Sequence, residues 1–98
     1  MIEVRETEVF SNWLRKLKDR RARIKIQLRI DRVKLGNFGD VAPVGASISE
    51  LRIHYGPGYR VYLVRRGEAL VVLLGGGDKS TQTTDIEAAK ALAETLED

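Results

Sequence analysis

The sequence predicts an α+β fold: a small antiparallel sheet with helices packed on it, in the order β–α–α–β–β–β–α. Three observations lead there. Apolar residues recur at helical spacing in the first part of the chain, the period changes to two after Ile48, and helical spacing returns over residues 84–98.

Residues 2–5, IEVR, read as a short strand. In the following TEVFSNWLRKLKD, the residues Phe10, Trp13, Leu14 and Leu17 fall at i, i+3, i+4 and i+7, one stripe of a helix. Thr7 is placed to cap it, because its hydroxyl can accept from the free amides of the first turn. Residues 20–35, RRARIKIQLRIDRVKL, admit two readings. Ile24, Ile26, Leu28 and Ile30 alternate as in a strand. On a helix, Ile24, Leu28 and Leu35 fall on one side and Ala22, Ile26, Ile30 and Val33 nearly opposite, with seven Lys/Arg between them. Length and the stop at Gly36 favour the helix. A helix apolar on two sides needs two partners: its own sheet, and either the first helix or another protein.

The stretch GNFGDVAPVGAS (36–47) reads as a loop from its Gly, Asn, Asp and Pro content. ISELRIHY, then GPG, then YRVYLVRRG read as a β-hairpin. EALVVLLG is a continuous apolar strand of the kind buried on both faces. In the tail, TDIEAAKALAETLED, the residues Ile86, Ala89, Leu92, Ala93 and Leu96 share a helix face, and Thr84 with Glu87 fits a capping box. No repeat or linker interrupts the chain, so residues 1–98 are expected to form one domain.

A three-residue GPG loop sets Tyr55 opposite Tyr59, His54 opposite Arg60, Ile53 opposite Val61 and Arg52 opposite Tyr62. Alternation then gives one face Leu51, Ile53, Tyr55, Tyr59, Val61 and Leu63, and the other face Arg52, His54, Arg60 and Tyr62. The polar set fits an ordinary solvated sheet face. It also fits a phosphate site, because two neighbouring arginines and a histidine repel unless an anion joins them. In that case the Tyr62 phenol is placed to stack on or hydrogen-bond to a nucleotide. His54, the one histidine, belongs to the residue type that titrates nearest neutrality.

Composition narrows the chemistry. The 98 residues contain no cysteine, which excludes disulfide and thiolate chemistry, and one histidine without cysteine argues against a zinc site; no metal or other cofactor is expected. No apolar run is long enough to span a membrane and the N-terminus lacks a signal-peptide core, so a cytoplasmic location without membrane attachment is expected. The formal charge is +3, unevenly spread: +6 over residues 1–35, +2 over 36–66 and −5 over 67–98. A basic front and an acidic tail point to a polyanionic partner at one surface.

The stretch LGGGDKSTQ (74–82) lies between a strand and a helix, as a phosphate-binding P-loop does. It fails the spacing: Lys79 and Ser80 fit, but Asp78 stands where the motif requires glycine and the first required glycine falls at Leu73. What remains is an exposed connection, or a strand end that carries Lys79 beside Arg52 and Arg60.

SELRIHYGPGYRVYL followed by LLGGGDKSTQTTDIEAA resembles the addiction-module killer proteins, HigB-like toxins of the RelE/ParE superfamily of type II toxin–antitoxin systems. The likeness includes FSNWLRKLKD in the first helix and covers nearly the whole chain. It implies a RelE-like fold, a twisted antiparallel sheet with two N-terminal helices, and an endoribonuclease that cleaves messenger RNA, commonly on the ribosome, without metal or other cofactor. In such enzymes the 2′-hydroxyl attacks the adjacent phosphate and a basic set of side chains stabilises the charge that develops. By position, Arg60 matches a phosphate-binding arginine, Arg52 lies near a catalytic lysine, and Lys79 lies near a catalytic arginine. His54 is the candidate base. Tyr62, Arg66, Arg21 and Lys25 are the candidates for RNA binding. A C-terminal catalytic tyrosine of some relatives has no counterpart here. The resemblance also implies a cognate antitoxin, commonly a helix-turn-helix DNA-binding protein, with messenger RNA and the ribosome as further partners. The alternative it carries is a ParE-like, non-catalytic inhibitor of a protein target such as DNA gyrase.

Overall fold

In the computed structural model, which describes residues 1–96, each helix begins where a side chain can satisfy its free amides or a preceding turn leads into it. After strand β1 (Glu3–Glu6), helix α1 (Glu8–Lys16) starts at Thr7, whose hydroxyl accepts from the Phe10 amide at 3.2 Å. Helix α2 (Arg20–Lys34) starts at Asp19, whose carboxylate accepts from the amides of Arg21 and Ala22. There follow β2 (Val41–Gly45), β3 (Ile48–Ile53), β4 (Tyr59–Arg66), β5 (Leu70–Gly77), a 3₁₀ turn (Lys79–Thr81) and α3 (Gln82–Thr95). The expected Thr84–Glu87 capping box is not used, since α3 starts at Gln82, three residues before that box would start it, as a continuation of the 3₁₀ turn. Asp78 caps that turn by accepting from the Ser80 amide at 2.8 Å and the Ser80 hydroxyl at 2.5 Å. Glu97 and Asp98, expected at the end of this helix, lie outside the described residues.

The strands form one sheet in the order β1-β5-β4-β3-β2. Two features differ from expectation. The sheet is mixed, because β1 pairs in parallel with β5 (Glu3 beside Leu70 through Glu6 beside Leu73), while the other neighbours are antiparallel. The pairing covers the outer edge of the most apolar strand, and a four-residue alternation carries no information about direction. The second difference is β2, which occupies part of the segment read as a loop. It lies on the sheet edge against β3, where Pro43 is tolerated because an edge strand has ladder positions that need no amide donor.

Both faces of the sheet are covered. On one, α1 and α2 enclose a core containing Phe10, Ile26, Ile30, Leu51, Val61 and Leu73. On the other, α3 packs Ala89, Ile86 and Leu92 over Ile48, Tyr62, Val64, Val72 and Leu74. Of the hairpin face that reads as solvated in the sequence, Tyr62 is therefore buried under α3 while Arg52 and His54 keep exposure, and β5 is buried on both sides as its apolar run implies.

Helix α2 has the two stripes expected of it. Ala22, Ile26, Ile30 and Val33 are buried against the sheet, whereas Ile24, Leu28 and Leu35 are 54%, 50% and 74% exposed. Helix α1 does not cover the outer stripe. Among the described residues no helix is long and apolar enough to cross a membrane.

Candidate functional site

The β3–β4 hairpin positions most of the expected site. Its loop is His54–Gly58, two residues longer than GPG alone, so the register is Glu50 beside Tyr62, Arg52 beside Arg60 and Ile53 beside Tyr59. A slip of two residues preserves which side chains share a face. Arg52, Arg60 and Tyr62 therefore remain on one face, with the two arginines directly opposite each other. Gly56 and Gly58 have φ of +56° and +81°, a region that strains any residue carrying a Cβ.

The anion that joins the arginines belongs to the chain itself. Glu50 is 1% exposed; its Oε2 accepts from Arg52 Nε at 2.9 Å, and its Oε1 lies 3.5 Å from Arg60 Nε. Gln82 Nε2, at the start of α3, donates to the same Oε1 at 3.0 Å. This corrects the expectation of a face awaiting an external phosphate: part of its charge is already compensated. The hydrogen bond from Arg52 to Glu50 also holds the Arg52 guanidinium above its ordinary pKa. Glu50 was missed in reading the sequence, although an acid two residues before Arg52 in a strand must share its face.

Tyr62 is also corrected. It is fully buried under α3, its hydroxyl has no hydrogen-bond partner among the described residues, and its phenol is pushed up to about 12 by burial and then by the nearby charges of Glu50 and Asp85. It presents no ring to a nucleotide. Arg66 lies at the far end of β4, six residues or about 20 Å along the strand from Arg60. Its guanidinium donates to the Ala93 carbonyl, away from the rest of the set.

His54 leaves the ladder at the end of β3. Its Nε2 hydrogen-bonds Asp40 Oδ2, which holds the Asp40 carboxyl below its ordinary range, with smaller help from the charges of His54, Arg52 and Arg29. Asp40 is itself fixed: its carbonyl accepts from the Arg52 amide at 2.9 Å and from Arg29 Nη2 at 3.1 Å. Arg29 also donates to the carbonyls of Phe38 and Arg52, clamping the start of β2 to the end of β3. With Nε2 turned to Asp40, the free ring nitrogen is Nδ1.

Lys79 joins this group through glycine. A Cβ on Gly58 would meet the Lys79 side chain at 3.2 Å, so the lysine stem lies directly on the bare backbone of the hairpin turn. The GPGY and GGDK segments are thus packed against each other. The glycines before Lys79 serve packing: a Cβ on Gly76 would overlap the Trp13 ring of α1, and one on Gly77 would overlap Asp85 of α3 and Thr81 of the turn before it. Bare backbone at the end of β5 lets a helix approach from each face, and the chain then turns to deliver Lys79.

His54, Tyr55, Arg60 and Lys79, with the Gly56–Gly58 backbone, line a cavity of about 270 Å³. Arg52 does not line it; its guanidinium is held by Glu50 and lies 4.0 Å from Asp40. Arg21 and Lys25 stand on α2, and Lys25 Nζ lies 5.3 Å from the centre of the Tyr55 ring. The cavity combines a guanidinium that is 11% exposed, an ammonium with no ion pair among the described residues, and an imidazole braced by a carboxylate. Such a set can hold a phosphodiester and accept a proton beside it.

No protein-family model matches the chain. It is 54% identical over 95 residues to an uncharacterized protein of Haemophilus influenzae, an alignment covering 97% of this chain and 96% of that one. The chain belongs to the same family as that protein.

Proposed function

We propose that the chain is the toxin of a type II toxin–antitoxin system, of the HigB-like branch of the RelE/ParE superfamily, and that it cleaves messenger RNA in the cytoplasm, in association with the ribosome. The observation that carries this reading is the convergence of His54, Arg60 and Lys79 on one cavity, through the two sequence segments on which the family resemblance rests. In the proposed reaction the RNA 2′-hydroxyl loses its proton to Nδ1 of His54 and attacks the adjacent phosphorus. The bond from phosphorus to the 5′-oxygen breaks, leaving a 2′,3′-cyclic phosphate and a 5′-hydroxyl protonated from solvent. Arg60 and Lys79 bind the phosphate oxygens, where negative charge grows most in the transition state. Arg52 acts through Glu50 and Asp40, which it holds in place. A cognate antitoxin is the expected regulator.

The exposed stripe Ile24, Leu28 and Leu35, set among arginines and lysines, favours a second reading: a non-catalytic inhibitor that docks on a protein such as DNA gyrase. Mapping of RNA 5′ ends after induced expression separates the two. New ends within coding regions, absent with Arg60→Ala, support cleavage; intact messages with gyrase-dependent DNA breaks support the second reading.

A further inference from the structure

Tyr55 stands where three concavities adjoin. One is the cavity of His54, Arg60 and Lys79. The next, about 200 Å³, lies between His54, Tyr55 and the α2 residues Lys25, Arg29 and Arg32. The third, about 450 Å³, runs on along α2 past Arg21, Lys25, Ile24 and Leu28. Together they make a trough that leaves the candidate catalytic cavity and follows the outer face of α2. No carboxylate lines any of the three; the nearby exposed carboxylates of Asp40 and Asp19 are bonded to His54 and Tyr55.

The tyrosine is fixed in this trough. Its hydroxyl donates to Asp19 Oδ1 at 3.4 Å, Lys25 Nζ lies 5.3 Å from its ring centre, and it remains partly exposed. Arg29 is committed to backbone carbonyls, whereas Arg21, Lys25 and Arg32 make no ion pair among the described residues. A polymer threaded through a cavity must leave it on two sides, and here one exit is lined by cations around an aromatic ring. That combination recognises single-stranded nucleic acid, phosphates on the cations and a base on the ring, with little dependence on sequence.

We propose that this trough binds the RNA strand flanking the scissile phosphate, with Tyr55 as the stacking partner of the flanking base and Arg21, Lys25 and Arg32 as its phosphate contacts. The assignment rests on the ribonuclease reading and adds the path of the substrate to it.

The test is binding of a short single-stranded RNA made uncleavable by 2′-O-methylation, followed by fluorescence anisotropy over a range of salt. Tyr55→Leu is expected to weaken binding about 10-fold, within what loss of one base–aromatic stack produces, and Tyr55→Phe to bind as the wild type does. Lys25→Gln and Arg32→Gln, on the exposed side of α2, are each expected to weaken binding and to lower the slope of log affinity against log salt by about 0.7. These two variants keep the test decisive if Tyr55→Leu fails to fold. Unchanged affinity and salt slope in Lys25→Gln and Arg32→Gln, or unchanged affinity in a folded Tyr55→Leu, overturn the proposal, and if Arg60→Ala still abolishes RNA cleavage the ribonuclease reading stands without it. A wild-type protein that binds no RNA but binds an acidic protein through Ile24 and Leu28 overturns both.

Discussion

Arg60 Nε lies 3.5 Å from Oε1 of Glu50, a carboxylate that is 1% exposed. The relationship ties the proposed phosphate-binding guanidinium to a buried charge, which in turn is bonded to Arg52 and to Gln82 at the start of α3. The hairpin, the opposite arginine and the last helix therefore share one anchor. Orientation of Arg60 toward the cavity depends on this anchor as much as on the strand that carries it.

Glu50→Ala leaves Arg60 in a mostly buried position without its counter-charge. Breaking one partner of a buried pair costs about 3 kcal/mol or more, so chemical denaturation is expected to show a loss near that size. Glu50→Gln keeps the acceptor for Gln82 and the shape of the side chain, and is expected to lose less. An Ala variant as stable as wild type would mean that solvent reaches this network.

The glycines at the end of β5 make a separate prediction. Gly76→Ala places a methyl group inside the Trp13 ring, and Gly77→Ala places one against Asp85 and Thr81. Overpacking of this kind costs about 1–3 kcal/mol. Trp13 is the only tryptophan, so the Gly76 variant is expected to change its fluorescence as well, whereas Gly77→Ala is expected to lower the thermal midpoint and leave the Trp13 emission closer to wild type.

Gly58 couples two segments. Its φ of +81° strains any residue with a Cβ, and that Cβ would press on the Lys79 stem at 3.2 Å. Gly58→Ala is expected to lose about 1 kcal/mol of stability from the backbone alone. It is also expected to lose RNA cleavage beyond what the stability change explains. Combined with Lys79→Ala, the activity losses should be less than additive, since both act through the position of one ammonium group.

Asp40, Asp78 and Tyr62 each make stability depend on pH. Asp40 and Asp78 have carboxyls depressed by hydrogen bonds, from His54 and from Ser80. Their contribution is whole above the ordinary carboxylate range and is lost as pH falls through their lower folded values. Tyr62 has the opposite sign: its phenol is raised to about 12, so its contribution is whole below the ordinary value of about 10 and is lost as pH rises through about 12. Phenolate absorbance should show one of the three tyrosines ionising last, together with alkaline unfolding. In Tyr62→Phe the stability loss between about pH 10 and 12 should shrink.

Much of this was legible from local pattern. Thr7, the Phe10 stripe and the limits of α2 follow from capping and spacing within a few residues, and the shared face of Arg52 and Arg60 survived a wrong loop length because a two-residue slip preserves alternation. Most of what escaped is non-local. The direction of β1 depends on β5, far along the chain. Tyr62 reads as exposed because nothing near it in sequence shows that α3 folds over it. Glu50 reads as an ordinary surface acid until Gln82, 32 residues on, is seen to close over it. Asp40 lay in a stretch whose glycines and proline concealed an edge strand.

His54, Arg60 and Lys79 are proposed to form a ribonuclease site. The most direct test adds purified protein to translating ribosomes and determines the end groups on the message. A 2′,3′-cyclic phosphate and a 5′-hydroxyl are expected at each cut, produced equally in the presence of a metal chelator that leaves the ribosome intact. Cutting should be reduced at least 100-fold in His54→Ala, as expected for loss of a general base, and abolished in Arg60→Ala. Messages that stay whole, or cuts that persist in Arg60→Ala, would contradict it.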